Sequence, residues 1–242
     1  MLPQAGIRLY GELNDFLPER RRGKRLVVSL PRGEHPALKH LLASVGVPPV
    51  EVGYALLNGE RVPLTLGVPP ASEIEAHPYG RGRSPRPSNE GAPPFVLDNH
   101  LGRLASYLRI LGFDTLYRND FQDEELTRMA AAGRVLLTRD RQLLMRKAIR
   151  YGHWMRSKEP REQLREVVEH YALREAIAPM QRCPRCNAPL EAVAKSAVLE
   201  ELEPLTRLYY EEFKRCTACG QIYWKGSHYE RMRRWLEEVL AP

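Results

Sequence analysis

The chain has 242 residues, 43% of them hydrophobic and 28% charged, and carries a formal net charge of +7 at pH 7. That length is generous for one ordinary domain and suits two or three small ones. With a mean hydropathy of −0.46 and no apolar run near the roughly 20 residues of a bilayer span, an integral helical membrane protein is excluded.

The N-terminal stretch Met1–Phe16 lacks a basic start followed by an apolar segment, so no secretory signal is read. A cytoplasmic address without a membrane partner is expected. Thirty of the 37 basic residues are Arg, which suits bidentate contacts to phosphate. A coding bias toward Arg gives the same count, so charge permits a nucleic-acid partner without establishing one.

In chain order, residues 1–80 read as a small α/β unit. Strands are expected at Ile7–Tyr10 and Leu26–Leu30 around a basic turn at Glu19–Arg25, followed by a helix over His35–Val45 with Leu38, Leu41, Leu42 and Val45 at helical spacing. Ala55–Leu57, the Asn58-Gly59 turn and Arg61–Leu66 then form a hairpin. The β-β-α-β-β order resembles ubiquitin-like β-grasp proteins, in particular their sulfur-carrier branch. A sulfur carrier needs a free Gly-Gly end, whereas here the chain runs on past Ala76–Gly80. An accessory or RNA-docking module is therefore expected. The basic turn suits either a phosphate contact or a solvated hairpin tip. Residues 81–94 contain four Pro, two Gly and two Ser and almost nothing apolar, the composition of a linker.

Residues 95–178 alternate strand and helix. Strands are expected at Phe95–Leu97, Thr115–Tyr117, Arg134–Thr138 and His153–Met155, with helices at Asn99–Leu111, Asp123–Ala132, Arg141–Arg150 and Pro160–Tyr171. Repeated βα units imply a parallel sheet with helices on both faces. Asp98 follows the first strand, Asp140 the third, and Asp123 opens the helix between them. Sites in open α/β sheets form outside the carboxyl ends of the strands, and gathered carboxylates repel unless a cation joins them. Oxygen ligands of this kind suit Mg²⁺ or Mn²⁺. As alternatives, Asp123 and Asp140 fit helix N-caps.

Residues 179–242 carry all four cysteines, as Cys183-Pro-Arg-Cys186 and Cys216-Thr-Ala-Cys219. Two C-x-x-C knuckles complete a tetrahedral Zn²⁺ site, and four thiolates leave no open place for catalysis. The 29 residues between the knuckles exceed the usual spacing, so an inserted helix is expected around Leu205–Phe213. Ile222–His228, followed by Arg231, Arg233 and Arg234, brings aromatic, hydroxyl, imidazole and guanidinium groups together, a mixture able to stack bases and grip phosphates. Tyr223 and Trp224 fit a cover over the metal equally well. Asn187 reads as a turn residue.

Phe95–Asp98, Leu101–Ala105, Leu108–Thr115, Asp123–Leu126 and Leu137–Arg141 together resemble the Mut-seven C-terminal (Mut7-C) RNase domain family, a branch of the PIN-like nucleases. The resemblance covers about 95–235 and extends to Tyr223-Trp224 and Gly226–His228, while the N-terminal part looks like the ubiquitin-like domain that often precedes it. It implies a PIN-like parallel sheet between a β-grasp domain and a zinc ribbon. It also implies hydrolysis of RNA, dependent on a divalent metal at Asp98, Asp123 and Asp140, leaving 5′-phosphate and 3′-hydroxyl ends. Arg139, Arg141, Lys225, Ser227, His228 and Arg231 are the expected substrate contacts. A fourth acid typical of many PIN domains has no clear match. The other reading is a non-catalytic RNA-binding or ribosome-associated adaptor whose acids are only helix caps. The sequence identifies no protein partner for the ubiquitin-like unit.

Overall fold

A computed structural model describes residues 2–80, 82, 83, 85, 87 and 91–240, with the backbone only at His228 and Leu240. Six of the fourteen residues of the expected linker at 81–94 (81, 84, 86 and 88–90) lie outside the described residues, and Gly82 donates its N–H to the His170 carbonyl at 3.0 Å. No described helix is long and apolar enough to cross a membrane.

In the N-terminal unit, β1 (Gln4–Leu9), β2 (Leu26–Ser29), α1 (Leu38–Ser44), β3 (Val52–Leu57), β4 (Glu60–Val62) and β5 (Glu73–Pro78) follow in order. The sheet runs β2-β1-β5-β3-β4, with β1 and β5 parallel and the other pairs antiparallel. Leu38, Leu41 and Leu42 of α1 close its core over Ile7, Leu9, Ala55, Ile74 and Ala76. Asn58 and Gly59 both take positive φ, +52° and +87°, as a two-residue type I′ hairpin turn requires. The strand expected through Leu66 ends at Val62, because Pro63 has no N–H to give the ladder. The central strand β5 had no expectation attached to it. Its polar residues Glu73, Glu75 and His77 alternate with buried Ile74 and Ala76, so its apolar signal is only two residues deep.

The second unit contains β6 (Phe95–Leu97), α2 (Gly102–Ile110), β7 (Thr115–Leu116), α3 (Asp123–Ala131), β8 (Val135–Thr138), α4 (Arg141–Leu144), β9 (Gly152–Trp154) and α5 (Pro160–His170). Its strands are all parallel, in the order β7-β6-β8-β9. Alternate strand residues feed two cores. Phe95, Leu97, Val135 and Leu137 pack on α2 and α5, and Val96 and Leu136 pack on α3 and α4. The chain moves outward from β6 to β7 and then back past β6 to β8, so the strand order switches between β6 and β8. Ligand crevices open at the carboxyl ends of such a pair. The helix expected over Arg141–Arg150 stops at Leu144: Ile149 has to turn back into the layer that holds Leu143 and Leu144.

The C-terminal unit contains β10 (Leu190–Val193), α6 (Pro204–Tyr209), β11 (Phe213–Cys216), β12 (Ile222–Tyr223) and α7 (Ser227–Leu240). Its three strands form one antiparallel sheet. The inserted helix ends at Tyr209, and Phe213 begins a strand. The long helix α7 was not expected. Met232, Trp235, Leu236 and Val239 lie at helical spacing and join the core beneath α2 and α5, so this stretch belongs to the packing of the second unit.

The β-grasp unit is fastened to β9. Glu51 is 3% exposed, accepts the Trp154 N–H at 2.6 Å and sits 3.3 Å from His153 Nδ1. His153 Nε2 faces Glu166 at 2.9 Å, Arg156 lies within ion-pair distance of Glu12, Asp15, Glu51 and Glu166, and the His170 ring lies over His153 at 3.8 Å. Burial opposes the charge on Glu51, but His153 and Arg156 outweigh it and hold the carboxyl at about 2. Burial likewise opposes the charge on His153, but Glu51 and Glu166 raise the imidazole to about 9. Burial, with the adjacent His153 charge, lowers His170 to about 3. Arg141, one of the expected substrate contacts, donates to the carbonyls of Phe16 and Asp15 at 3.0 and 3.2 Å and lies 4.1 Å above the Trp154 ring. Its guanidinium is committed to the N-terminal unit.

The pH dependence of stability follows from these shifts. The His153 contribution is complete below its ordinary value of 6.5 and is lost as pH rises through about 9. The Glu51 contribution is complete above 4.5 and is lost as pH falls through about 2. His170 gains a proton only on unfolding between 6.5 and about 3, which also lowers stability toward acid. Melting temperature should therefore peak near pH 6.5 and decline on both sides, and His153→Gln should remove the alkaline decline. A wild-type melting temperature that rises from pH 6.5 to 9 would contradict this.

Candidate active site and four-cysteine centre

Asp98 stands immediately beyond β6, where its extended backbone caps the 3₁₀ turn Asn99–Leu101. Its Oδ1 accepts the Asn99 N–H at 2.6 Å, and its Oδ2 accepts the Thr138 hydroxyl at 2.7 Å. The same Thr138 oxygen accepts the Asp140 N–H at 2.9 Å. Asp140 in turn caps α4 by accepting the Gln142 N–H at 2.7 Å. One hydroxyl thus ties the carboxyl end of β6 to that of β8. Asp98 is 8% exposed and Thr138 fully buried, while Asp140 lies open to solvent. Among the described residues no cation pairs with Asp98.

Asp123 stands apart from this pair. Gln122 is the N-cap of α3, in a reciprocal capping box with Glu125, so Asp123 is not the cap. Its carboxylate is held 2.9 Å from Arg146, which also reaches Glu124 and Thr127. Among the described residues, the only group of three or more His, Cys, Asp or Glu ligands within reach of one ion is the set of cysteines. Asp98 and Asp140 are linked through Thr138, and Asp123 is not gathered with them. Of the remaining expected contacts at this edge, Arg139 accepts the Trp154 indole N–H through its carbonyl at 3.2 Å, and its side chain has no partner among the described residues.

The ligand atoms of Cys183, Cys186, Cys216 and Cys219 all lie within 4.8 Å of one another, a spacing that can hold one metal ion. The Cys219 N–H points at Cys216 Sγ at 3.4 Å, and the Tyr223 hydroxyl lies 3.1 Å from Cys183 Sγ. Burial pushes Cys186 up to about 12. At Cys216 burial also opposes ionisation, but the N–H groups of Cys219 and Ala218 bring it down to about 6. Thiols so close cannot all ionise without a cation.

Two residues that the sequence reading had not assigned to the site join the first knuckle to the sheet. Arg109, 5% exposed in the last turn of α2, donates to the carbonyls of Thr115, Pro184 and Arg185 at 2.9, 3.2 and 3.2 Å. Asn187 takes a positive φ of +73°, as a turn residue can. It also accepts the Thr115 N–H at 2.9 Å and donates to Asp114 at 2.8 Å. The only sequence signal for Arg109 was an arginine set beside the buried stripe of Leu104, Ala105 and Leu108.

The other expected contacts lie on the C-terminal unit. Lys225 is exposed, 3.7 Å from Glu212. Ser227 and Arg231 belong to α7, so Arg231 sits on a helix and not on a ribbon loop. The His228 side chain lies outside the described residues. Ser227 borders a cavity of about 720 Å³ whose walls include Ser106 and Ile110 of α2 but neither Asp98, Thr138 nor Asp140.

These parts define a class: an α/β protein with carboxylates at its sheet edge, a β-grasp unit before the sheet and a four-cysteine ribbon after it. Family comparison narrows the class. The Mut7-C RNAse domain matches residues 93–236, and Mut7-C ubiquitin matches residues 2–82. The chain belongs to the Mut7-C RNAse domain family, which suggests a nuclease-like function and an RNA substrate. Neither a curated relative nor a solved structure matches it.

One metal ion per chain is the expected content of the cysteine centre. Cys216→Ser should lose it and, because the knuckles brace β7 through Arg109 and Asn187, should lower the melting temperature of the whole chain. Elemental analysis beside calorimetry checks both. Full metal content in the variant would refute the assignment.

Proposed function

We propose that this chain is a divalent-metal-dependent ribonuclease whose centre is the Asp98–Thr138–Asp140 edge. The observation that carries the reading is Asp98 itself, a nearly buried carboxylate at the strand-order switch with no cation opposite it among the described residues. The family match supports it from an independent direction.

The donor set fits Mg²⁺ or Mn²⁺. Each carboxylate keeps acceptor positions beyond its present hydrogen bonds, and Mg²⁺ is commonly held by one or two carboxylates with water completing its shell. Bound there, the ion would supply Lewis-acid stabilisation of phosphoryl charge and make water more acidic. Thr138 fixes the rotamer of Asp98 and the backbone of Asp140 through opposite sides of one oxygen. Arg139, beside that oxygen, and exposed Arg103, on the first turn of α2, supply cations for the RNA backbone. Asp123, paired with Arg146, contributes only peripheral negative charge to this site. In the cysteine centre we place Zn²⁺, which four thiolates favour and which leaves no position for substrate. Its work is to hold the ribbon.

Asp98 and Asp140 both cap short turns, and this observation favours the adaptor reading. Kinetics separate the two. Asp98→Asn should lower RNA cleavage in Mg²⁺ or Mn²⁺ roughly a hundredfold or more, with RNA binding kept. Asp123→Asn should cost less than about tenfold, since losing one peripheral charge removes little of that stabilisation. Cleavage by Asp98→Asn at the wild-type rate would end the nuclease assignment to this edge, and a larger loss at Asp123 would move the centre to α3.

A further inference from the structure

The cavity of about 720 Å³ lies between α2, the ribbon and α6. Tyr209, Tyr210, Tyr223, Trp224 and Tyr229 line it, an unusual density of aromatic faces. Among the described residues Arg182 is the one charged residue in its wall, and it donates to the Asn187 carbonyl at 3.1 Å and lies 3.9 Å from Asp114; Gln221, Thr206, Ser106 and Ser227 add an amide and hydroxyls. Trp224 lies so close over Gly226 that a Cβ there would come within 2.6 Å of Nε1. The indole N–H has no hydrogen-bond partner among the described residues. Tyr209, at the rim, is 71% exposed. These groups offer π-faces, a free donor, an amide and hydroxyls. A nucleobase presents the matching π-face and polar edge, and proteins take up unstacked bases in this way.

Position supports the same occupant. Asp98 begins the turn that leads into α2, and Ser106 in the cavity wall lies one 3₁₀ turn and one α-helical turn farther on, roughly 12 Å along that path. Arg103 stands between them on an exposed position of α2, where it can hold backbone phosphate. A strand cut at the acid edge therefore reaches the cavity within a few nucleotides.

We infer that this cavity receives an unstacked base of the RNA strand held at the Asp98–Asp140 edge, a subsite that reads single-stranded RNA beside the cut. The inference rests on the ribonuclease reading above. An apolar protein segment, the other class of occupant, would leave the Trp224 indole N–H without a partner.

The test uses the full-length chain carrying Asp98→Asn, its cysteine centre loaded with zinc, and a short oligouridylate in which an abasic ribose is walked along the strand. One position should lose roughly tenfold in affinity when its base is removed. Tyr209→Ala, at an exposed rim residue, should weaken the intact RNA by a similar factor and leave that one abasic RNA unchanged. Photo-crosslinks from 5-iodouridine should map to Tyr209, Tyr210 or Trp224. Unchanged affinity in Tyr209→Ala with crosslinks mapping elsewhere overturns the inference. If the chain with Asp98 intact then still cuts RNA in Mn²⁺, the ribonuclease reading stands without the subsite. If that chain neither binds nor cuts RNA, both fall.

Discussion

The bond from the Thr138 hydroxyl to Asp98 is the constraint around which the central unit is arranged. A carboxylate placed at the end of a strand buried on both faces is costly unless its oxygens are hydrogen-bonded. Here one oxygen takes a backbone N–H and the other takes Thr138. Thr138 can do this only because β8 lies beside β6 in parallel register, Leu97 opposite Leu137. That register is fixed by apolar residues that alternate between the two helical layers. The acid edge is therefore a product of the core, and moving either strand by one residue would dissolve it.

The cations tell a different story from the net charge. Arg109 braces the first knuckle, Arg134 pairs with Asp114 beneath β7, and Arg141 and Arg156 fasten the β-grasp unit. These guanidiniums act as internal clamps, each satisfying carbonyls or carboxylates that would otherwise lie buried and unpaired. A net charge of +7 therefore overstates what is free to meet phosphate. Arg103, Arg139 and Arg231 are better candidates, because no described residue pairs with them. The β-grasp unit is likewise no loose appendage: Glu51 and His153 bury opposite charges between the units, and removing either one leaves Glu51 with Arg156 alone or His153 with Glu166 alone as its opposite charge.

Much of this was legible in the residues. The Phe95–Leu97 and Val135–Leu137 runs are apolar throughout, as strands covered on both faces must be, and the paired C-x-x-C knuckles specify their own geometry. What escaped reading depended on distant partners. Strand β5 shows only Ile74 and Ala76 as apolar positions and is central because β1 and β3 enclose it. Helix α7 was obscured by its arginines, although Met232, Trp235, Leu236 and Val239 carry a helical stripe. Arg141 has the local setting of a substrate contact, and only the fold places Phe16 and Asp15 against it. Asp123 likewise opens its helix as expected, but Arg146, 23 residues later, occupies it.

The central claim is that the metal of the reaction is held at the Asp98–Thr138–Asp140 edge, and paramagnetic broadening by Mn²⁺ tests it most directly. In amide spectra of the zinc-loaded chain, substoichiometric Mn²⁺ should first erase the signals of Asp98–Leu101 and Thr138–Gln142, and Asp98→Asn should abolish that pattern. Broadening that begins at Asp123–Glu125, or that is the same in Asp98→Asn, would contradict the account.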